Sequence, residues 1–328
     1  MRNEIHKPVM VEEVLRFMAA RPGQIVIDAT AGLGGHTKAL WDSVRPDGIV
    51  IAIEKDIDSL RFARERVDGD GVVFIHESYT NLSSITEFLG IKGKVSAILF
   101  DLGISSYLLE YSGRGFSFLQ DEYLDMRFNP DEGLPADHYI NRLNENQLTH
   151  IFKDYGEIRF ARSIAQGIVR FRKKQRISTT AILNEIVLRS VPGIYRRNNK
   201  LKKRLLAQVY QALRIQVNKE LEAIATGLVE GLKILSPGGR LVVISYHSLE
   251  DRLAKQIKRI SGVDALLKKP LTPSQSEIAM NPRARSAKLR AYKKVGELNE
   301  EDLDYFISLG WNNVGPYRTN IAASMGKS

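Results

Sequence analysis

The stretch Gln24–His36, QIVIDATAGLGGH, decides the fold. Its first half is a nearly unbroken apolar run ending on Asp28, and its second half is a glycine-rich turn that opens a helical stretch. A strand buried on both faces of a parallel sheet has this pattern, because neither side meets water. Glycines at the carboxyl end of such a strand let a ligand approach the backbone, and the next helix offers free N–H groups to an anion. Gly32, Gly34 and Gly35 are spaced G-x-G-G, which is not the G-x-G-x-x-G of a pyrophosphate binder. The spacing suits a ligand whose anionic end is one carboxylate, as in S-adenosylmethionine.

Outward from this stretch the pattern repeats. Gly48–Asp56, Val72–Tyr79 and Val95–Leu102 are further buried strands, separated by helical stretches at His36–Val44, Ile57–Val67 and Leu82–Leu89. Strand–helix alternation predicts right-handed βαβ units and a Rossmann-like, doubly wound α/β sheet. From Ser105 to about Leu206 no comparable strand occurs. A Gly/aromatic loop, Ser112–Phe118, is followed by helical segments at Glu145–Tyr155, Arg159–Lys173 and Thr179–Ser190. Gln208–Leu235 has the pattern of one long helix, stopped by Ser236-Pro237-Gly238-Gly239. Arg240–Tyr246 is a fifth buried strand, and Lys288–Val295 a late edge strand. The expected organisation is a discontinuous catalytic domain (1–106 and 207–295), an inserted helical RNA-recognition domain (107–206) and a C-terminal extension of unknown role (296–328).

Charge sorts the partners. The chain of 328 residues carries a formal +10. Between Lys153 and Arg204 stand 15 Lys/Arg against Asp154, Glu157 and Glu185. Arg283, Arg285, Lys288, Arg290, Lys293 and Lys294 form a second cluster with no acid among them. Clusters of this size suit a polyanion, with nucleic acid first, although a solvated helix face has the same composition. There is no cysteine, so thiolate metal sites and disulfides are excluded. No apolar run reaches membrane-span length, and Met1–Lys7 has no signal-peptide core, so a cytoplasmic address is expected.

Four residues beyond the glycines are candidates for chemistry. Glu54 ends the second strand, 22 residues after Gly32, where an acid accepts hydrogen bonds from both ribose hydroxyls. Asp101 ends the fourth strand, in Phe100-Asp101-Leu102-Gly103-Ile104-Ser105-Ser106, at the switch region where cofactor and substrate meet. Methyl transfer from a sulfonium is an in-line displacement that needs alignment and water exclusion, and no metal. Asp101 could orient an exocyclic amine or accept its proton; the alternative is a helix N-cap. Tyr246 and His247 follow the fifth strand, placed for stacking on a flipped base and for proton handling. A lone His is more often a hydrogen-bonded structural residue.

Taken together these segments resemble the RsmH (MraW) family, ribosomal RNA small-subunit methyltransferase H. The matching stretches are His6–Met10, Asp28–His36, Asp101–Ser106, Arg114–Phe118, Leu124–Arg127, Tyr155–Glu157, Gln211–Ile215, Ser245–Arg252 and Asn281–Ser286, in family order. The resemblance implies a class I S-adenosylmethionine-dependent methyltransferase that methylates N4 of a cytidine in the decoding region of 16S rRNA. It implies cofactor contacts at Gly34, Gly35, His36, Glu54, Tyr79 and Asp101, with 16S rRNA in the small ribosomal subunit as partner. Glu54 stands where the family usually has Asp, and Leu108 where it has Gln. No membrane or DNA partner is expected, and a homodimer is left open.

Competing classes differ in their motifs. A DNA amino-methyltransferase usually carries Asp/Asn/Ser-Pro-Pro-Tyr/Phe after the fourth strand, where this chain has Asp101-Leu102-Gly103-Ile104. A nicotinamide dehydrogenase would need the pyrophosphate loop. An RNA-binding assembly factor with weak or no methyltransferase activity is the non-enzyme rival.

Overall fold

In the computed structural model, residues 7–312 are described. Among them seven strands form one sheet: β1 (Ile25–Asp28), β2 (Ile49–Glu54), β3 (Val72–His76), β4 (Val95–Asp101), β5 (Leu235–Ser245), β6 (Val263–Ala265) and β7 (Lys288–Lys294). Their order is β3-β2-β1-β4-β5-β7-β6. The first five run parallel, and β7 runs antiparallel to both of its neighbours. This is the doubly wound sheet that the sequence pattern predicts. The strand order reverses between β1 and β4, so a crevice opens at their carboxyl ends, where ligands bind in such sheets.

Alternate side chains bury both faces. On one face Val26, Val50, Ala97, Leu99, Val242 and Ile244 pack with Val9, Met10, Val14, Phe17 and Met18 from the amino-terminal segment. That packing brings the His6–Met10 motif, described from Lys7 onward, against the sheet. Lys288–Val295 was expected as an edge strand, and the structure corrects this. β7 lies inside, because β6 covers it through Val263↔Lys294 and Ala265↔Tyr292. β6 has only three residues, two of them exposed, too few to show a period. Ser236–Gly239 also differs from a simple turn. Val95 pairs with Leu235 and Ala97 with Arg240, so these four residues bulge out of the β4–β5 ladder.

Contacts divide the described chain into two units, residues 7–106 with 221–310, and residues 107–220 with 311–312. The second unit is mainly helical: Ala136–Arg142, Glu145–His150, Ala161–Arg172, Thr180–Arg189, Ile194–Arg197 and Asn199–Asn218. Ile151–Tyr155 winds as a π turn, with Gln211 Nε2 donating to the Tyr155 carbonyl at 3.1 Å. Two of the stretches quoted above, Arg114–Phe118 and Leu124–Arg127, meet here, and Asn218 joins them. Arg114 donates to the Arg127 and Phe128 carbonyls, Arg127 pairs with Asp125 at 2.6 Å, and Asn218 Nδ2 donates to the Met126 carbonyl.

The single helix expected over Gln208–Leu235 is two, Asn199–Asn218 and Glu220–Ile234. Lys219 turns left-handed at φ 49° and its N–H donates to the Ile215 carbonyl, closing the first helix. Arg214 grips Glu220 through two hydrogen bonds of 2.7 and 2.9 Å. No Gly or Pro marks the break, so the local sequence carried no stop signal. The division therefore falls after residue 220 instead of 206. Part of the expected extension belongs to the first unit. Helix Glu300–Asn312 buries Leu303 and Phe306, and a Cβ on Gly310 would meet the Leu221 carbonyl at 2.6 Å. Residues 313–328 of that extension lie outside the described residues. No described helix is long and apolar enough to cross a membrane.

Candidate active site

The carboxyl ends of β1, β2, β4 and β5 converge on acids and their donors. Asp28 closes β1, and its Oδ2 accepts from Thr37 Oγ1 at 2.7 Å. Burial raises its pKa, against the opposing pull of His36, Thr37 and Thr30. Glu54 closes β2 and reaches back to the glycine loop. Its Oε2 accepts from Gly32 N at 2.8 Å and its Oε1 from Asp56 N at 2.9 Å. Burial pushes this carboxyl up to about 7, although those two backbone bonds oppose the shift. Each oxygen keeps a lone pair for a further donor.

Asp101 closes β4 between two side chains from distant segments. Tyr246 Oη donates to its Oδ1 at 2.7 Å, and His36 Nε2 lies 3.4 Å from its Oδ2. Burial, then the charge of Asp101 and the bond to it, hold the Tyr246 phenol well above its ordinary pKa, so it remains a donor. Burial works against a charged His36, yet Asp101, Asp28 and Glu277 outweigh it and raise the imidazole pKa. The Asp101 carboxyl thus faces an imidazole whose pKa is raised.

The glycines divide by role. Gly34 and Gly35 are small because of the protein itself. A Cβ at Gly34, φ 79°, would come within 3.0 Å of Val67 and 3.1 Å of Ala63, and one at Gly35 within 3.0 Å of Pro8. A Cβ at Gly32 would point into open space, its nearest neighbour the Thr30 carbonyl at 3.9 Å. Open space is therefore a property of Gly32, and close packing of the other two. Gly34→Ala is expected to cost about 2–4 kcal/mol of stability, from left-handed strain plus overpacking. Gly32→Ala should cost only about 1–2 kcal/mol, from strain alone. Denaturant titrations would measure both; equal losses would refute the division.

The donor set fits S-adenosylmethionine. Gly32 faces free space beside a carboxylate that can accept from ribose hydroxyls. Helix Gly35–Val44 begins there without a side-chain cap, so its first N–H groups are available to a carboxylate. His36 Nδ1 is buried and has no hydrogen-bond partner among the described residues.

Two expected site residues make hydrogen bonds within the protein, one local and one long-range. His247 is the N-cap of helix Ser248–Gln256; its Nδ1 accepts from Glu250 N, and its Nε2 lies 3.1 Å from Glu250 Oε1. The buried Glu250 in turn accepts from Tyr246 N at 2.7 Å. Tyr246, expected to stack on a base, packs its ring against the sheet core and uses its hydroxyl on Asp101. Tyr79 meets Phe100 edge-on at 5.5 Å and lies against Gly227. Leu108 is a buried side chain of the second unit.

Glu277 escaped the sequence reading. Its Oε1 accepts from Met10 N at 2.6 Å, and Asn281 Nδ2 donates to the Lys7 carbonyl at 3.1 Å. These bonds stitch the Asn281–Ser286 motif to the amino-terminal motif across the site. The available signal was Ser274-x-x-Glu277, a helix-start pattern whose Ser274 hydroxyl accepts from Glu277 N.

With this geometry in view, the comparisons with known proteins agree over most of the chain. A family model, the MraW methylase family, matches residues 3–295. A relative from Dictyoglomus thermophilum is 43% identical over 303 residues, covering 90% of this chain and 97% of its own. One from Syntrophotalea carbinolica is 39% identical over 313 residues, covering 88% and 98%. Both are named ribosomal RNA small subunit methyltransferase H. Among solved structures, an rRNA methylase from Streptococcus thermophilus overlaps 87% of this chain and 94% of its own, at 12% identity and a TM-score of 0.37. A match that runs through both halves of the split sheet and the helical segment between them leads to one conclusion: the chain belongs to the MraW methylase family.

Proposed function

We propose that this chain methylates N4 of a cytidine in the decoding region of 16S rRNA, within the small ribosomal subunit. The observation that carries the proposal is Asp101, held by the Tyr246 hydroxyl and His36 at the crevice between β1 and β4. The relatives' name supports a small-subunit rRNA substrate. S-adenosylmethionine supplies the methyl group from its sulfonium. Glu54 accepts the ribose hydroxyls, and the start of helix Gly35–Val44 takes the carboxylate. Asp101 orients the target amine through a free lone pair and accepts its proton. Tyr246 and His36 fix the carboxylate's position, so little reorganisation is left for the reaction. Mapping methylated nucleosides in rRNA by mass spectrometry, with and without this protein, tests the proposal. A cytidine that gains one methyl group supports it, and an unchanged map overturns it.

The second unit serves RNA recognition in this scheme. Of the basic residues between 153 and 204, Arg162, Arg176 and Arg189 are in ion pairs with Glu145, Asp137 and Glu185. Lys153, Arg170, Lys173, Lys174, Arg197, Lys200, Lys203 and Arg204 are exposed and have no acidic partner among the described residues. Affinity for rRNA should fall steeply with salt, with a slope near the number of ions released. Reversing Lys173, Lys174, Lys200 and Lys203 to Glu should flatten that slope by about four or more. A slope that stays put would move the RNA elsewhere.

A further inference from the structure

The second basic cluster is less free than its composition implies. Arg283 donates to Ser106 Oγ. Lys288 and Arg290 pair with Asp251 at 3.1 and 2.8 Å. Lys294 Nζ donates to the carbonyls of Leu232, Lys233 and Leu235. Arg285 and Lys293 alone in the cluster have no hydrogen bond or ion pair with another described residue. Lys293 lies opposite Arg240, whereas Lys288 lies opposite Ser245 at the site end of β5. Lys293 is therefore roughly 17 Å down the strand from the site end. Within this cluster, and among the described residues, Arg285 is the unpaired cation that lies beside Tyr246.

Arg285 lines a cavity of about 300 Å³ together with Tyr246, His247, Thr272, Ser286 and Lys288. The Thr272 and Ser286 hydroxyls also have no hydrogen-bond partner among the described residues, so two hydroxyls and a guanidinium line the cavity. No carboxylate lines the cavity. A guanidinium fork with hydroxyl donors matches an anion that presents several oxygens, as a phosphodiester does. The cavity also shares Tyr246 with the Asp101 clamp.

We propose that this cavity holds a backbone phosphate of the RNA strand that carries the methylated nucleotide, with Arg285 supplying the charge and Thr272 and Ser286 the hydroxyl donors. This rests on the rRNA-methyltransferase reading above. A phosphate fixed here sets the strand's register relative to Asp101 without reading its sequence.

The test uses the full chain and unmodified small-subunit rRNA. Binding is measured over a salt series, methyl transfer in parallel, and S-adenosylmethionine affinity by calorimetry. Arg285→Ala should weaken RNA binding about tenfold and lower the log–log salt slope by about one. Arg285→Lys should recover most of the slope. Thr272→Val with Ser286→Ala should weaken binding severalfold and leave the slope alone. Unchanged affinity and slope in Arg285→Ala overturns the proposal, as does an equal loss of S-adenosylmethionine affinity, which would give the cavity to the cofactor. Wild-type protein that binds the RNA but does not methylate it would end the enzymatic reading, while the slopes still decide the cavity. Wild-type protein that does not bind the RNA ends both.

Discussion

Asp101→Ala is expected to abolish measurable methyl transfer while the protein still folds. The carboxylate follows Ala97–Phe100, which are fully buried, and is itself 13% exposed. A charge so placed is tolerated because Tyr246 donates to it and His36 faces it. In the proposed reaction its remaining lone pairs serve the target amine. Loss of an acid–base group costs about 10²–10⁴-fold, and loss of alignment adds about 10²-fold more. Asp101→Asn separates the two. Its amide oxygen keeps the Tyr246 bond, so alignment survives, but it cannot take a proton. Its turnover should fall by the acid–base factor alone. Near-normal turnover in Asp101→Asn would make Asp101 a positioning residue. Normal turnover in both variants with saturating cofactor would mean the tip of β4 is not the reaction centre. Circular dichroism and cofactor calorimetry on each variant guard against a loss caused by misfolding.

Glu54→Ala should weaken S-adenosylmethionine binding more than tenfold. Two hydrogen bonds from ribose hydroxyls to a charged group are worth roughly 1.5–3 kcal/mol each, before competing terms. The structure adds a second cause, because the same carboxylate accepts from Gly32 and Asp56 and so shapes the loop. Glu54→Gln keeps an acceptor and should lose less. The raised pKa of about 7 gives a pH signature. Hydroxyl donors favour the ionised acid, so binding pulls the pKa down. Affinity is then full above about 7 and declines as pH falls below it. Calorimetry from pH 6 to 8 should show this decline in the wild type, with Glu54→Gln nearly flat. A wild-type affinity indifferent to pH would contradict the ribose assignment.

How much of this was legible in the sequence varies by residue. The strand ends carrying Asp28, Glu54 and Asp101 were, because buried parallel strands are unbroken apolar runs and their polar terminators stand out. The contacts of Asp101 were not. Tyr246 is 145 residues away from it, and no local pattern links them. The glycine loop was recognised as a site feature, but the packing behind Gly34 and Gly35 depends on Ala63, Val67 and Pro8. His247 and Glu277 show the same limit in opposite directions. The one was expected to handle protons and caps a helix; the other was not singled out and fastens Met10.

Periodicity and strand-end residues were enough, by themselves, for the doubly wound sheet, its glycine loop and the helical insertion, since these depend on neighbours along the chain. Tertiary structure decided where the insertion ends: beside the left-handed turn at Lys219, Asn218 Nδ2 donates to the Met126 carbonyl, 92 residues away in the chain. It alone decided which charges are free. Arg283, Lys288, Arg290 and Lys294 look equivalent to Arg285 in composition, and differ from it because Ser106, Asp251 and three carbonyls lie within reach of them. A charge is available to a ligand only where the fold provides it no closer partner, and that depends on distances between residues far apart in the chain.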